Sequence, residues 1–234
     1  MKTTKRLFCK GLLLIGLFAV WTLLVQTVDV QPAGEMGTEI GLATFNSRFH
    51  NFTGVHLGLY VLTDWLGLVP VGVCMFYGVM GFYQLVKRKS LLRVDFDILL
   101  LGVYYVIVAA GYLIFEMFPV NYRPILIEGR LEASYPSSTT LLVLSVMPTL
   151  ALQINRRSHS ARRKKTAGIL TGVFSLLMVI GRLVSGVHWA TDIVGAVFLS
   201  SGLFCLYKAA VMLYCKEEQT QEGSGWNFVK SCRN

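Results

Sequence analysis

The sequence predicts an all-α integral membrane protein built as a bundle of six helices. Three observations carry that expectation. Hydrophobic residues make up 54% of the 234-residue chain and charged residues only 15%, which is too apolar for a water-soluble domain and too poor in polar residues for disorder. Six apolar stretches, at about 11–30, 57–86, 97–118, 138–155, 166–185 and 190–214, approach or exceed the roughly 20 residues that cross a bilayer. The basic residues gather at one end of those stretches.

Taken in order, the first stretch follows Lys2, Lys5, Arg6 and Lys10 and starts at Gly11. It has the outline of a secretory signal, but no small-x-small cleavage site follows and the apolar run passes Trp21 to about Val28. Residues 1–30 are therefore expected to form an uncleaved first helix with a basic cytoplasmic start. Residues 31–56 are of mixed polarity (EMGTEIGLATFNSRFHNFTG) and are expected outside the membrane, with a short helix along its surface. The stretch from 57 is longer than a bilayer needs, so it tilts or extends beyond the hydrocarbon. Residues 57–214 make a five-helix core, and 215–234, including EEQTQEGSGWN, a loosely ordered cytoplasmic tail. The five cysteines lack CxxC spacing and none falls in an outer loop, so neither a disulfide framework nor a zinc site is expected.

Charge fixes the orientation. Eighteen of the 22 Lys and Arg residues lie at the N-terminus, in KRKSLLR, in RRSHSARRKK or from Lys208 onward. Only Arg48, Arg123, Arg130 and Arg182 remain for the other side. Basic loops stay in the cytoplasm, so both termini are expected there and the first, third and fifth loops outside. The net charge of +9 thus reports topology, and no nucleic-acid partner is expected. RRSHSARRKK is also suited to anionic lipid headgroups, with His159 solvated. The expected partner is the bilayer itself, and the expected location is the plasma membrane as a multi-pass protein.

An ionisable residue at membrane depth is expensive and marks function by default. Asp64, Glu116, Arg182, His188 and Asp192 all fall near outer helix ends, and Arg123 and Arg130 lie in the third loop. Pro136, Ser137 and Ser138 mark the outer start of the fourth helix, where a serine cap and free amides make an anion site. His188 and Asp192 are four apart, on one face if the helix has begun, and a carboxylate beside an imidazole selects its tautomer. Arg182 adds a planar fork matched to phosphate oxygens. His50 and His56 read as interfacial residues rather than ligands.

R-x5-H-x3-D (Arg182, His188, Asp192), preceded by R-P (Arg123, Pro124) and P-S (Pro136, Ser137), resembles the type-2 phosphatidic acid phosphatase superfamily. That family's pattern is K-x6-R-P, then P-S-G-H, then S-R-x5-H-x3-D, on six membrane helices. The resemblance covers roughly residues 57–214, and the third motif is its specific part. It implies hydrolysis of a membrane-lipid phosphate through a phosphohistidine at the extracytoplasmic face, without metal or cofactor. On that template His188 is the nucleophile and Asp192 orients it. Arg123 and Arg182 clamp the phosphate, beside Ser137, Ser138 and their amides.

The chain departs from the pattern in four places. Glu116 stands where the family has Lys, Ser138 replaces its Gly, Thr139 its His, and Gly181 the Ser before Arg182. The missing His is the family's general acid, and such a group contributes roughly 10²–10⁴-fold in rate. A lipid diphosphate suffers least from that loss, because it releases a phosphate whose second pKa is about 6. The chain is therefore expected either to prefer lipid diphosphates or to recruit another acid from Glu116, Glu128, Glu132, Thr139 or Asp64. Glu116 is alternatively a partner for Arg123 or Arg182, and Asp64 either builds the site or pairs structurally. A catalytically silent lipid-phosphate-binding homologue stays open, as does a small transporter using Asp64, Glu116 and Asp192 as proton-linked carboxylates. Against transport, no inverted repeat is visible.

Overall fold

The fold is that of a computed structural model, which describes residues 2–222. Six membrane-length helical spans run in sequence: α1 (Lys2–Thr27), α3 and α4 together (Leu57–Leu66 and Leu68–Arg88), α5 (Phe96–Met117), α6 (Ser138–Arg157), α7 (Ala161–Val184) and α8 (Ala190–Glu222). Helix α2 (Ala43–Thr53) lies between the first two spans. The expected six-helix membrane architecture is thus present. The helices run past the apolar stretches at their basic ends, as with Lys2–Lys10 in α1 and Arg162–Lys165 in α7. Hydropathy marks only the hydrocarbon span. Lys and Arg are good helix formers whose stems lie along apolar surface while their charges reach water. Residues 215–222 of the expected loose tail instead continue α8, and 223–234 lie outside the described residues.

Two details depart from an unbroken all-helical chain. The segment 31–56 holds, besides α2, a small antiparallel hairpin of β1 (Gln31–Ala33) and β2 (Thr38–Ile40). The second span is interrupted at Gly67, whose N–H is shared between the carbonyls of Thr63 and Asp64, each at 3.0 Å. Pro70 is the reason: it has no N–H to give the carbonyl of Leu66, and its ring crowds that carbonyl. The interruption sits next to the start of α6, where Gly67 lies beside Thr139.

Helices α6 and α8 bury the largest share of their surfaces and form the middle of the bundle. Around them α4 and α7 present Phe76, Val79, Phe82, Leu176 and Leu177 outward, an apolar surface that matches lipid. An aromatic seam locks the interior. Phe18 of α1 stacks on Tyr135 at 6.1 Å and meets Phe115 edge-on at 5.6 Å, and Tyr104 stacks on Tyr207 at 4.7 Å. Tyr135 also shares a hydrogen bond of 2.7 Å with Thr22 of α1 and presses against α8 at Gly195, where a Cβ would come within 2.7 Å of its ring. This tyrosine fixes the loop that leads into α6. At the basic end, Arg157 pairs with the buried Asp97 at 2.8 Å.

Candidate active site

The polar residues singled out by the sequence assemble at the end of the bundle opposite the basic termini. Three segments meet there: the 118–137 loop with the start of α6, the end of α7, and the 185–189 loop with the start of α8.

The 118–137 loop is folded back on itself. Tyr122 bridges to Ala133, the Arg123 N–H donates to the Glu132 carbonyl at 3.1 Å, and the Ser134 N–H to Asn121 at 2.9 Å. Residues thirteen apart are thereby brought side by side. Ser137 occupies the residue before α6, but its hydroxyl does not cap the backbone as expected; it donates to Thr140 Oγ1 at 3.1 Å. The Ser137 N–H donates to the Asp192 carbonyl at 3.2 Å, which joins the start of α6 to the start of α8.

The 185–189 loop is seated by the segment 31–56. Gly186 has φ +73°, and a Cβ there would overlap the Gly54 carbonyl, so only glycine fits. His50 contacts the Gly186 carbonyl at 3.1 Å, and the His56 N–H donates to the Ser185 carbonyl at 2.9 Å. Both histidines thus sit outside the polar cluster. Buried Asn46 holds the first turn of α8 through Thr191, donating to its Oγ1 at 3.0 Å and accepting its N–H at 3.3 Å.

Helix α8 begins only at Ala190, so helical pitch does not join His188 to Asp192. Their Nδ1 and Oδ2 atoms stand 3.9 Å apart, beyond hydrogen-bond reach. Ser134 lies between them, its Oγ 3.0 Å from His188 Nδ1 and 2.5 Å from Asp192 Oδ2. Asp192 also accepts the Trp189 N–H at 2.9 Å and Asn121 Nδ2 at 3.2 Å. The Trp189 contact is a carboxylate reaching back over the helix start it belongs to, the geometry of a capping box.

The arginines converge on Tyr60, whose ring lies 5.0 Å from Arg182 Cζ and 5.9 Å from Arg123 Cζ. Arg182 is almost fully buried; its Nη1 donates to Thr63 at 3.4 Å and its Nη2 lies 3.7 Å from Asp64. Arg123 Nε lies 3.1 Å from Glu132 but is not aligned to it as a hydrogen bond. Among the described residues, Arg123 Nε and Nη1, Arg182 Nε and His188 Nε2 are buried without a hydrogen-bond partner. Burial, then the charges of Arg123 and Arg182, hold the His188 pKa well below its ordinary value of 6.5, and a hydrogen bond to the Ser134 backbone opposes them. The imidazole is therefore neutral near pH 7.

The candidate acids separate. Glu132 and Asp64 each face an arginine, whereas Glu116 is exposed and makes no ion pair with Arg123 or Arg182 among the described residues, contrary to the pairing considered for it. Glu128 is exposed at a turn with φ +50°. Arg130 is exposed in the same turn, away from the cluster. Asp64, Ser138 and Thr139 stand together at the polar head of a cavity of about 570 Å³ whose walls are apolar, including Leu68, Val108 and Leu142. Sequence reasoning missed Asn121, Ser134 and Tyr60. An isolated Asn, Ser or Tyr carries no signal until the fold places it beside a charge.

A family model described as the PAP2 superfamily matches residues 42–214. Phosphatidylglycerophosphatase B of Bacillus subtilis (strain 168) is 30% identical over 89 residues, 38% of this chain and 43% of that protein, so the chain spans less than half the length of the curated relative it matches. The crystal structure of the first transmembrane PAP2-type phosphatidylglycerolphosphate phosphatase from Bacillus subtilis aligns with a TM-score of 0.54 over 94% of this chain and 99% of that one. Identity is 18%, a likeness of fold.

Proposed function

The chain belongs to the PAP2 superfamily, and from that premise we propose that it hydrolyses a membrane-lipid phosphate, preferentially a diphosphate, through a phosphohistidine on His188. The observation that supports this most directly is the set of buried polar atoms on Arg123, Arg182 and His188 that make no hydrogen bond among the described residues. Leaving such groups without a partner is costly, and a phosphate group satisfies both guanidinium forks at once.

The chemistry follows from the donors. His188 Nε2 carries a lone pair and attacks phosphorus in line; the bond to the leaving oxygen breaks and its electrons leave with that oxygen. Arg123 and Arg182, with the amides of Ser138 and Thr139 at the positive end of α6, bear the charge on the three equatorial oxygens. Water then attacks phosphorus, its protons leave with the released phosphate, and the electrons of the N–P bond return to Nε2 as its lone pair. No metal or cofactor enters these steps. Thr139 supplies no acid. Glu132 and Asp64 are each engaged with an arginine. Both facts favour a diphosphate, whose departing lipid monophosphate needs little protonation at neutral pH. The apolar cavity beneath Ser138 and Thr139 suits a lipid chain held in the membrane while its head meets the arginines. On the charge distribution the site faces the extracytoplasmic side, with both termini in the cytoplasm.

The test is phosphate release by purified protein in detergent micelles from farnesyl diphosphate, phosphatidic acid and phosphatidylglycerophosphate, the last taken from the Bacillus relative's name. We expect release, fastest from the diphosphate and lost in His188→Ala. Equal release by that variant removes the phosphohistidine. Retained binding with no release from any of the three identifies a silent lipid-phosphate-binding protein.

A further inference from the structure

We propose that Ser134 is a positioning residue: its hydroxyl links Asp192 to His188 Nδ1 and so lets the carboxylate act on the tautomer and orientation of the imidazole. The inference rests on the phosphohistidine reading and deepens it.

Proton counting at the hydroxyl leads there. Ser134, His188 and Asp192 are all buried, so the protein must supply their partners. An ionised Asp192 only accepts, and it faces three donors: Asn121 Nδ2, the Trp189 N–H and Ser134 Oγ. The hydroxyl has one proton, and it goes to the carboxylate. Its oxygen is then left with lone pairs toward His188 Nδ1, 3.0 Å away, so Nδ1 must carry the imidazole proton. Nε2 is thereby the nitrogen with the free lone pair, and it is the ring atom without a partner. At 3.9 Å the carboxylate does not reach Nδ1 directly, so removing the hydroxyl cuts the chain instead of shortening it. When Nε2 bonds to phosphorus and the ring becomes cationic, the same path carries the stabilisation from Asp192. Ser134 holds its place because its N–H is tied to Asn121 and Tyr135 beside it is wedged between α1 and α8.

The experiment is a double-mutant cycle on farnesyl diphosphate with Ser134→Ala, Asp192→Ala and the double variant, alongside His188→Ala, with inorganic phosphate as a competitive probe of the arginine clamp. Removing the second partner of a functional imidazole costs on the order of 10–100-fold. We expect that loss in kcat for Ser134→Ala, with KM and phosphate inhibition within about 2-fold of the parent, since Arg123 and Arg182 are untouched. A link in series gives no further loss when Ser134→Ala is added to Asp192→Ala, whereas independent roles multiply. Parent-like kcat in Ser134→Ala overturns the proposal. So do multiplying losses, or loss of phosphate inhibition, which assigns Ser134 to folding instead. Unchanged turnover in His188→Ala defeats the phosphohistidine reading itself, and the two failures are distinct.

Discussion

Arg123 and Glu132 face each other across the folded-back 118–137 loop, with Nε and Oε2 3.1 Å apart, and the carboxylate stands on a guanidinium whose other buried nitrogen, Nη1, has no hydrogen-bond partner among the described residues. Glu132 is half-exposed and so competes with any anion for that arginine only weakly. Such a pair is worth up to about 1 kcal/mol, or roughly 5-fold in affinity. Glu132→Gln is therefore expected to lower KM for farnesyl diphosphate by about 2- to 5-fold at low salt, with kcat unchanged. Steady-state kinetics at two ionic strengths check it. A fall in kcat near 10²-fold instead identifies Glu132 as the recruited acid.

The pH profile follows from the neutral imidazole. His188 is faced by Arg123, Arg182, Ser134 and Asp192; burial and the two arginines depress its pKa well below 6.5. On the proposed phosphohistidine route the neutral form is the nucleophile, so kcat/KM is expected to stay level from pH 7 through 6.5 and to fall only at more acid pH. Arg123→Gln removes one opposing positive charge, so the His188 pKa rises and the acid limb moves toward 6.5. A parent limb at 6.5 or above contradicts the depressed value. The sign for stability is the same. The folded state binds fewer protons than the unfolded chain below pH 6.5, so thermal stability in detergent declines as pH drops through that range.

Thr139 occupies the second turn-forming position of α6, half-buried at the head of the apolar cavity, where the superfamily pattern has its acid. Thr139→His is expected to raise turnover of phosphatidic acid by about 10²-fold and of farnesyl diphosphate by less than about 3-fold, because only the alkoxide leaving group needs the proton. Comparable gains on both lipids would show that leaving-group protonation does not limit the parent.

Gly186 is where the loop carrying His188 packs tightly on the Gly54 carbonyl. Ala there meets left-handed backbone, costing about 1–2 kcal/mol, and its methyl meets the Gly54 carbonyl as well. Gly186→Ala is expected to lower the unfolding temperature in detergent and to reduce kcat, whereas Gly129→Ala, at an exposed turn of similar φ with open space around it, lowers stability without touching kcat. Thermal unfolding followed beside kinetics separates the two.

The sequence by itself determined the membrane class, the six spans and the family. Lipid crossing imposes a length and a polarity that any apolar stretch reveals, and R-x5-H-x3-D is a local string. It also named Arg182, His188 and Asp192 as candidates, because ionisable residues near helix ends stand out against an apolar background, and Arg123, Ser137 and Ser138 through the motifs of the resemblance. Tertiary structure decided the contacts. The loop that doubles back from Asn121 to Ser134 puts a serine between an imidazole and a carboxylate whose spacing had implied a direct pair. Tyr60 comes beneath both arginines from another helix, and Glu132 and Asp64, not Glu116, answer their charges. These pairings depend on backbone reversals and on the Pro70 interruption next to α6, and so on distances through space that spacing along the chain does not encode.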